Sequence, residues 1–264
     1  MHNDASWVET MPATYDRCLG PALFAPWATH LAAAAAQLSP ERVLEIAAGT
    51  GILTSALVDA LPMANIVATD LNPAMVAYAT ARLPTVACSV ADAQALDLPD
   101  RSFDVIVCQF GVMFFPRRRA AYAQVARVLA THGTFLFSVW DEVQTSTLAH
   151  ALVQSLDVVL PGGTPDFVAR IPHGYADVGQ ITTDLAEAGL TAHRVERHVP
   201  RGVAASVRDV AYGFCYGTPL RFELEKRGEL DSLAAAVGEE MTTRLGEGPV
   251  DGELAGYLFS AGVT

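Results

Sequence analysis

The chain has 264 residues, of which 51% are hydrophobic and 17% are charged, and its formal net charge is −12. This length and apolar content suffice to bury a sizeable core, and they predict one domain with an elaboration rather than two independent domains. The acidic balance argues against nucleic acid or an anionic membrane as the main partner, because both require a basic surface. A small molecule is the expected partner.

The chain shows no targeting signal and no metal-binding pattern. Its first residues include Asp4 and Glu9 and lack a basic segment followed by an apolar one, so no signal peptide is predicted. The apolar run Val105–Phe115 is too short to span a bilayer. The four cysteines are scattered, without the paired spacing of a zinc site or a redox dithiol. We expect a cytoplasmic protein with no bound metal.

Residues 1–40 are predicted to form an N-terminal helical cap segment. A helix is expected over Pro26–Leu38, since a proline stands in its first turn and Ser39-Pro40 follows its last. This helix runs antiparallel to the strand that comes next, so the residues before it lie over the carboxyl end of that strand. Tyr15, Phe24 and Trp27 are therefore candidates either for a lid over a bound ligand or for packing contacts between the helix and the core.

A strand, a tight turn and a helix are predicted over the next residues. The apolar run Val43–Ile46 leads into the small residues Ala47–Gly51, and a helical pattern follows. Such a turn brings backbone N–H groups and the positive end of a helix close to a ligand, and only small residues allow that approach. Glu45 adds a carboxylate to the floor of the site, which favours a cationic or amine-bearing nucleotide over a pyrophosphate.

The segment Glu45–Gly51 resembles the acidic-x-Gly-x-Gly-x-Gly loop of class I S-adenosylmethionine-dependent methyltransferases, with Ala47 in place of the first glycine. In that family the loop lies along the methionine and ribose part of the cofactor. The resemblance therefore implies S-adenosyl-L-methionine as the cofactor and assigns Glu45, Ala47, Gly49 and Gly51 to its binding. On the residues alone, an ordinary tight turn between a strand and a helix stays open.

A second strand ends in a carboxylate about 20 residues after the glycine loop. The strand is Ile66–Asp70, and an acid at this offset in an open α/β sheet is placed to bind both ribose hydroxyls. The alternative role for Asp70, capping the next helix, is less attractive because Asn72-Pro73 already supplies a cap. The resemblance further implies that Leu71 and Met75 line the adenosine.

The third and fourth strands supply the remaining predicted cofactor contacts. After the third strand, Asp92 and Ala93 resemble the family's third motif, in which the acid binds the adenine amino group and the next residue lines the base. The fourth strand, Phe103–Phe110, carries Gln109 at its carboxyl end, facing the place of methyl transfer. Tyr15 from the N-terminal segment completes the predicted set.

Five strands alternating with helices, with acids after the first three, predict a doubly wound α/β fold with its ligand along the carboxyl edge. Residues 41–140 form the predicted cofactor-binding core, which ends with a strand over Thr134–Trp140. We expect a seven-stranded, mostly parallel sheet of Rossmann-like type. The resemblance implies that the last strand is antiparallel.

Residues 141–264 are predicted to hold the remainder of the sheet together with helical caps. Strand six is expected over Thr191–Pro200 and strand seven over Gly252–Gly262. Two insertions, at about 141–176 and 201–248, lie at the carboxyl edge and are expected to determine substrate choice. The second insertion is predicted either to cap the cleft or to form a homodimer surface.

The implied reaction is an in-line displacement of a methyl group from the sulfonium by an O, N, C or S atom of a small acceptor. Alignment and desolvation are the protein's main contributions. His173 is the candidate general base, on the near-neutral titration range of histidine. Aromatic candidates for the acceptor site, each with core packing as the alternative, are Trp140, Tyr175, Tyr212, Phe214 and Tyr216.

The later part of the chain is similar to the small-molecule branch of the family, which includes quinone-biosynthesis methyltransferases.

Two functions other than methyl transfer remain open at this point. A non-catalytic S-adenosylmethionine-binding protein would share the fold, and the missing first glycine is compatible with it. A nicotinamide-dependent oxidoreductase would share the ribose-binding acid, but the third glycine of its Gly-x-Gly-x-x-Gly motif is absent, since position 54 is a threonine.

Overall fold

A mixed seven-stranded sheet lies at the centre of the protein. The computed structural model describes residues 10–160 and 162–263, so residues 1–9, position 161 of the first insertion and residue 264 lie outside the described residues. Two predictions, the absence of a signal peptide and a helical cap segment over residues 1–40, fall partly on residues 1–9. The strands are β1 (Arg42–Ile46), β2 (Asn65–Asp70), β3 (Ala87–Val90), β4 (Phe103–Gln109), β5 (Leu129–Trp140), β6 (Leu190–His198), β7 (Arg201–Ala204), β8 (Val250–Glu253) and β9 (Gly256–Val263).

Helices connect the strands and add caps. Their bounds are α1 (Met11–Thr14), α2 (Ala25–Gln37), α3 (Ile52–Ala60), α4 (Pro73–Arg82), α5 (Arg118–Val128), α6 (Thr147–Val159), α7 (Phe167–Arg170), α8 (Val178–Glu187), α9 (Val207–Gly217), α10 (Leu220–Glu225) and α11 (Leu230–Leu245). A π-helical segment, Tyr15–Phe24, joins α1 to α2, and short 3-10 turns lie at Val112–Phe114 and Val143–Thr145. Within the described residues, every helix is too short or too polar to cross a bilayer.

The order of the main sheet is β3-β2-β1-β4-β5-β9-β6, and β9 runs antiparallel to both of its neighbours. The predicted doubly wound sheet with an antiparallel last strand is therefore confirmed. The chain moves outward from β1 through β2 to β3 and then returns to place β4 on the other side of β1. This reversal opens a crevice at the carboxyl ends of β1 and β4, which is where ligands bind in such sheets.

The central strands are apolar on both faces because helices cover both sides of the sheet. Strands β1 and β4 bury nearly every side chain, and Glu45 is a charged residue among them. Across β5 and β9, Phe135, Phe137 and Phe259 stack with ring centroids 4.7 and 4.8 Å apart. The hydrophobic core is thus continuous from the cofactor-loop side of the sheet to its antiparallel strand.

The N-terminal helix begins earlier than the proline pattern predicted. Helical structure starts at Met11, and the π-helical segment leads without a break into α2. This segment packs beside α9, and Gly213 of α9 lies so close to Leu19 that a side chain at 213 would come within 2.8 Å of it. Trp27 is fully buried and its Nε1 donates to the Leu254 carbonyl, so it packs in the core and does not form a lid.

The second insertion is not helical throughout, which corrects the prediction for residues 201–248. Helices α9, α10 and α11 are present, but Arg201–Ala204 is a strand that pairs antiparallel with Val250–Glu253. The closing strand β9 accordingly starts at Gly256 rather than Gly252. The β7–β8 pair ties the two ends of the insertion together. Gly202 is required there, because a side chain would collide with the Ala22 carbonyl.

Candidate functional site

A cavity of about 250 Å³ opens at the carboxyl edge of the sheet. Each of the central strands β1, β2, β4 and β5 contributes residues at or just after its end, and the N-terminal segment and both insertions close the cavity from above. Of the predicted site residues, those that line it are Tyr15, Ala47, Gly49, Asp70, Leu71, Met75, Asp92, Ala93, Gln109 and His173. Glu45 and Gly51 do not line it.

The loop after β1 adopts a backbone that favours glycine. Ala47, Gly49 and Gly51 have φ values of 54°, 57° and 81°. A Cβ atom at Gly49 would meet nothing within 4 Å, so this backbone faces open cavity space that a ligand can approach closely. At Gly51 a Cβ atom would come within 3.1 Å of Leu83, so that glycine is required by the αL conformation and by packing.

Asp70 connects two loops at the cavity wall. Its Oδ2 accepts a hydrogen bond from the Gly49 N–H and its Oδ1 accepts one from the Asn72 N–H, both at 2.8 Å. Burial raises the pKa of Asp70, while the two backbone hydrogen bonds act in the opposite direction. Each carboxylate oxygen keeps a further lone pair for a ligand. The Asn72 side chain caps α4, as the sequence predicted.

Glu45 points away from the cavity. Its side chain is 1% exposed, and its Oε2 accepts a hydrogen bond of 2.6 Å from the Thr54 hydroxyl of α3. Burial raises the pKa of Glu45 to about 8, although the Thr54 hydrogen bond lowers it. The carboxylate therefore lies beneath the loop and does not form the exposed floor that the sequence suggested. A role for Glu45 toward a cofactor amine stays a prediction.

Asp92 and Gln109 mark the two ends of the polar wall. Asp92 accepts hydrogen bonds from the backbone and side-chain amides of Gln94, which orients it beside Ala93. Gln109 donates from Nε2 to the Phe24 carbonyl at 3.1 Å, which leaves its Oε1 facing the other way. That Oε1 is buried and has no hydrogen-bond partner. A buried acceptor without a donor costs free energy, so a ligand that donates to it would be favoured.

The other half of the cavity is aromatic. The rings of Phe110 and Trp140 are stacked with centroids 3.5 Å apart, and Phe24 lies 6.2 Å from each of them. Phe110 has a φ of 51°, a strained conformation that turns the backbone after β4 toward β5. Further apolar lining residues, which sequence reasoning did not single out, are Phe114, Phe115, Ala149, Phe167, Val168 and Leu254.

The predicted aromatic candidates separate into two groups. Trp140 and Phe214 line the cavity. Tyr175 is buried outside it and donates to Asp184. Tyr212 and Tyr216 stack on each other on α9 and do not reach the cavity. For these three tyrosines, packing and hydrogen bonding away from the site account for the side chain.

His173 is held by one ring nitrogen and faces the cavity beside Trp140. Its Nδ1 lies 2.7 Å from the Asp141 carbonyl oxygen, and its ring stacks on Trp140 with ring centroids 6.0 Å apart. A carbonyl can only accept, so Nδ1 carries the proton and Nε2 presents a lone pair. Burial lowers the pKa of His173 to about 4, with Asp141 acting in the opposite direction. This corrects the near-neutral titration expected from the sequence, because the site is too dry to stabilise the imidazolium.

Ser146 also faces the cavity, and sequence reasoning missed it. It is the N-cap residue of α6, yet its side chain makes no capping hydrogen bond. Its Oγ is buried and has no partner. Among the described residues, no lysine or arginine lines the cavity, and no group of three or more His, Cys, Asp or Glu side chains is arranged to hold a metal. In the sequence, Ser146 is visible only as a serine before an apolar helix, a pattern that normally indicates a helix cap.

Comparisons with known proteins agree with this geometry. A family described as a methyltransferase domain matches residues 43–133. A malonyl-[acyl-carrier protein] O-methyltransferase of Halorhodospira halophila is 27% identical over 233 residues, which cover 70% of this chain and 78% of that protein. A demethylmenaquinone methyltransferase of Thermus thermophilus is 34% identical over 111 residues, 40% of this chain and half of that protein's length.

The fold has known structural counterparts. The crystal structure of the YcgJ protein from Bacillus subtilis superposes with a TM-score of 0.56 at 18% identity, covering 88% of this chain and 97% of that one. At this identity the likeness concerns the fold alone. The position of the cavity comes from this chain's own geometry: it lies at the carboxyl edge, where the loop after β1 meets the acid that ends β2.

Proposed function

The chain belongs to the class I S-adenosylmethionine-dependent methyltransferases, and from that premise we propose that it methylates a small, uncharged acceptor bound in the aromatic half of the cavity. The observation that carries this proposal is the continuity of the cavity. One cavity joins the polar wall at Gly49 and Asp70 to the aromatic wall at Phe110 and Trp140. A methyl donor and its acceptor need such a shared space in order to meet in line.

The polar half suits S-adenosylmethionine, the methyl donor of this family. Gly49 leaves its backbone open to the cavity, Asp70 offers carboxylate lone pairs, and the buried Oε1 of Gln109 lacks a donor. The cofactor carries a ribose diol, an ammonium group and a sulfonium, and these are donors and cations. We assign the ribose to Asp70, the base to Asp92, Ala93, Leu71 and Met75, and the amino-acid end to the loop Ala47–Gly51 with Gln109 and Tyr15.

When bound, S-adenosylmethionine supplies an electrophilic methyl group on a positively charged sulfur. The chain's own residues contribute alignment and the exclusion of water. The stacked rings of Phe110 and Trp140, with Phe24 beside them, form an apolar wall at the carboxyl ends of β4 and β5. His173 provides a neutral Nε2 that can accept a hydrogen bond from an acceptor hydroxyl. Because its pKa is only about 4, His173 would be a weak general base in this role.

The charge of the lining supports an uncharged acceptor. Asp70 and Asp92 line the cavity, while no lysine or arginine does so within the described part of the chain. Apart from the sulfonium and ammonium of the bound cofactor, an anionic acceptor would find no cationic side chain in this lining, which disfavours its burial. A homodimer formed through residues 201–248, a cytoplasmic location and the absence of nucleic-acid partners stay predictions.

Calorimetric binding of S-adenosylmethionine and S-adenosylhomocysteine tests the proposal, with NADH as a control ligand. We expect micromolar binding of the first two, no binding of NADH, and a loss of about tenfold or more in the Asp70→Asn variant, because a ribose hydrogen bond to a charged group is worth about 1.5–3 kcal/mol. Asp97→Asn is the matched control, since Asp97 is exposed and lies outside the cavity.

Turnover separates an enzyme from a non-catalytic binding protein. S-adenosylhomocysteine formation measured against a panel of hydroxylated, amino and carboxylate metabolites should show activity with some uncharged members. Binding of the cofactor without turnover of any member would favour the non-catalytic alternative. A folded protein that binds neither S-adenosylmethionine nor S-adenosylhomocysteine would refute the assignment itself.

A further inference from the structure

In the part of the chain that the structure describes, the aromatic half of the cavity contains one buried polar atom without a hydrogen-bond partner, the Ser146 Oγ, and a second polar side chain, the half-buried His173, beside it. Ser146 is 2% exposed, lines the cavity, and its Oγ has no hydrogen-bond partner. His173 lines the same cavity and has Nδ1 committed to the Asp141 carbonyl. Buried polar groups in folded proteins are nearly always paired, so such a group at a cavity wall points to a ligand.

Both groups belong to one corner of the molecule. Strand β5 ends at Trp140, the segment 141–146 follows it, and the His173 ring stacks on Trp140. The backbone of Ser146 forms an antiparallel bridge with Leu254, which also lines the cavity. The short segment after β5 thus carries both Ser146 and the Asp141 carbonyl that orients His173.

Ser146 is in position to cap α6, and its hydroxyl is not used for that purpose. Helix α6 has 13 residues, and its N-cap serine makes no side-chain hydrogen bond to the first turn. Ala149, in the first turn of α6, also lines the cavity, so this helix end faces the cavity.

The hydrogen-bonding capacity of the pair defines the ligand. A serine hydroxyl can both donate and accept, whereas the neutral His173 Nε2 can only accept. The ligand must therefore bring a hydrogen-bond donor. A carboxylate has none at neutral pH, and the cavity lining in the described chain offers it no lysine or arginine. An ether also lacks the donor that His173 requires.

We propose that Ser146 and His173 bind a hydroxyl-bearing, uncharged, planar acceptor, so that the chain discriminates against carboxylate acceptors. This inference rests on the proposed methyl transfer and specifies its substrate class. The planar shape follows from the cavity walls. Phe110 and Trp140 are stacked on each other and form one flat aromatic wall, and Phe167 and Phe214 also line the space. Ser146 is a binding residue in this scheme, and His173 accepts a hydrogen bond from the same class of ligand.

Three matched probes test the proposal: naphthol, methoxynaphthalene and naphthoate, each substituted at the same ring position. Their binding is measured by calorimetry to the full chain saturated with S-adenosylhomocysteine. We expect naphthol to bind about tenfold more tightly than either of the others, because among the three probes it alone brings a donor for the His173 Nε2. Naphthoate shares the ring system, so the comparison isolates the polar group.

Variants show which side chains produce the preference. Ser146→Ala should weaken naphthol binding about 3- to 10-fold, because the naphthol hydroxyl can accept from Ser146 while it donates to His173. Methoxynaphthalene should lose less, because its ether oxygen has no proton for His173 and is not held at both groups. His173→Phe should also reduce the preference for naphthol while keeping a ring against Trp140. Ser155→Ala is the matched control, since Ser155 is buried in the same helix but donates to the Ala151 carbonyl and lies outside the cavity.

The outcomes separate this inference from the proposed function. Equal or tighter binding of naphthoate, an unchanged naphthol preference in Ser146→Ala, or no binding of any probe to the saturated protein would overturn it. Failure of the wild-type protein to bind S-adenosylhomocysteine would instead refute the methyltransferase assignment. If Ser146→Ala is too unstable to study, Ser146→Thr, which keeps the hydroxyl, should preserve the naphthol preference while His173→Phe loses it, and equal behaviour of the two would count against the proposal.

Discussion

Replacing Glu45 with glutamine tests whether the acid beneath the cofactor loop is neutral in the folded protein. Glu45 is 1% exposed and accepts a 2.6 Å hydrogen bond from Thr54. Burial raises its pKa from 4.5 to about 8. Glutamine has nearly the same shape and can accept the same hydrogen bond, but it cannot ionise. The variant should therefore behave like the protonated wild-type protein at every pH.

The sign of the pH dependence follows from the direction of the pKa change. Above pH 4.5 the unfolded carboxyl loses its proton, whereas the folded carboxyl keeps it up to about pH 8. The contribution of Glu45 to stability is therefore complete below the unfolded pKa and decreases as the pH rises toward the folded pKa. The loss is about 1.4 kcal/mol per pH unit, or about 2 kcal/mol between pH 6 and pH 8 once ionisation near the folded pKa is included.

Thermal unfolding of wild-type protein and Glu45→Gln at several pH values measures this difference. Relative to the variant, the wild type should lose about 4–8 °C between pH 6 and pH 8, given about 2–4 °C per kcal/mol for a chain of this size. Glu41→Gln is the control, because Glu41 is exposed one residue before β1. Parallel pH curves for wild type and Glu45→Gln would refute the assignment of a buried, protonated acid.

Four further predictions concern the site and its supports. Gly111→Ala would place a methyl carbon 2.6 Å from the Ala47 Cβ atom, so we expect it to lower the free energy of unfolding in denaturant titration by about 1–3 kcal/mol. Gly238 lies inside α11, and a Cβ atom there would have its nearest neighbour, the Ala211 Cβ atom, at 3.8 Å. Gly238→Ala should therefore raise the free energy of unfolding by about 0.5–1 kcal/mol. Gly49→Ala should weaken S-adenosylhomocysteine binding in calorimetry by about tenfold, because it places a side chain at positive φ in open cavity space. Since the His173 pKa is about 4, the rate of methyl transfer should show no ionisation of this imidazole between pH 6 and 8, and a rate inflection in that range that His173→Gln abolishes would contradict the assignment.

Much of the cofactor half was predictable because its signals are local. Each parallel strand reads as a short apolar run, and the residue that follows each run is fixed at the carboxyl edge by the direction of the chain. Gly49, Asp70 and Asp92 therefore had to lie along one edge once a doubly wound sheet was inferred. The structure places all three at the cavity.

Local patterns did not determine which way side chains turn at the strand ends. Glu45 lies one residue before the end of β1, and its inward direction follows from the register with β2 and β4 and from the Thr54 hydroxyl above it. The pKa of His173 likewise depends on burial and on the Asp141 carbonyl, 32 residues away in the chain. Both properties arise from neighbours that are distant in sequence.

The acceptor half depended almost entirely on tertiary structure. Ser146 looks like an ordinary helix cap in the sequence, and only the described packing shows that its hydroxyl is unpaired at a cavity wall. The β7–β8 pair was missed because four-residue strands of alternating polarity carry little signal. The sequence by itself determined the sheet, the glycine loop and the acids at the strand ends, since hydrophobic runs and turn residues act locally. The tertiary structure alone decided which aromatic and polar side chains meet above that sheet, because such contacts join segments far apart in the chain.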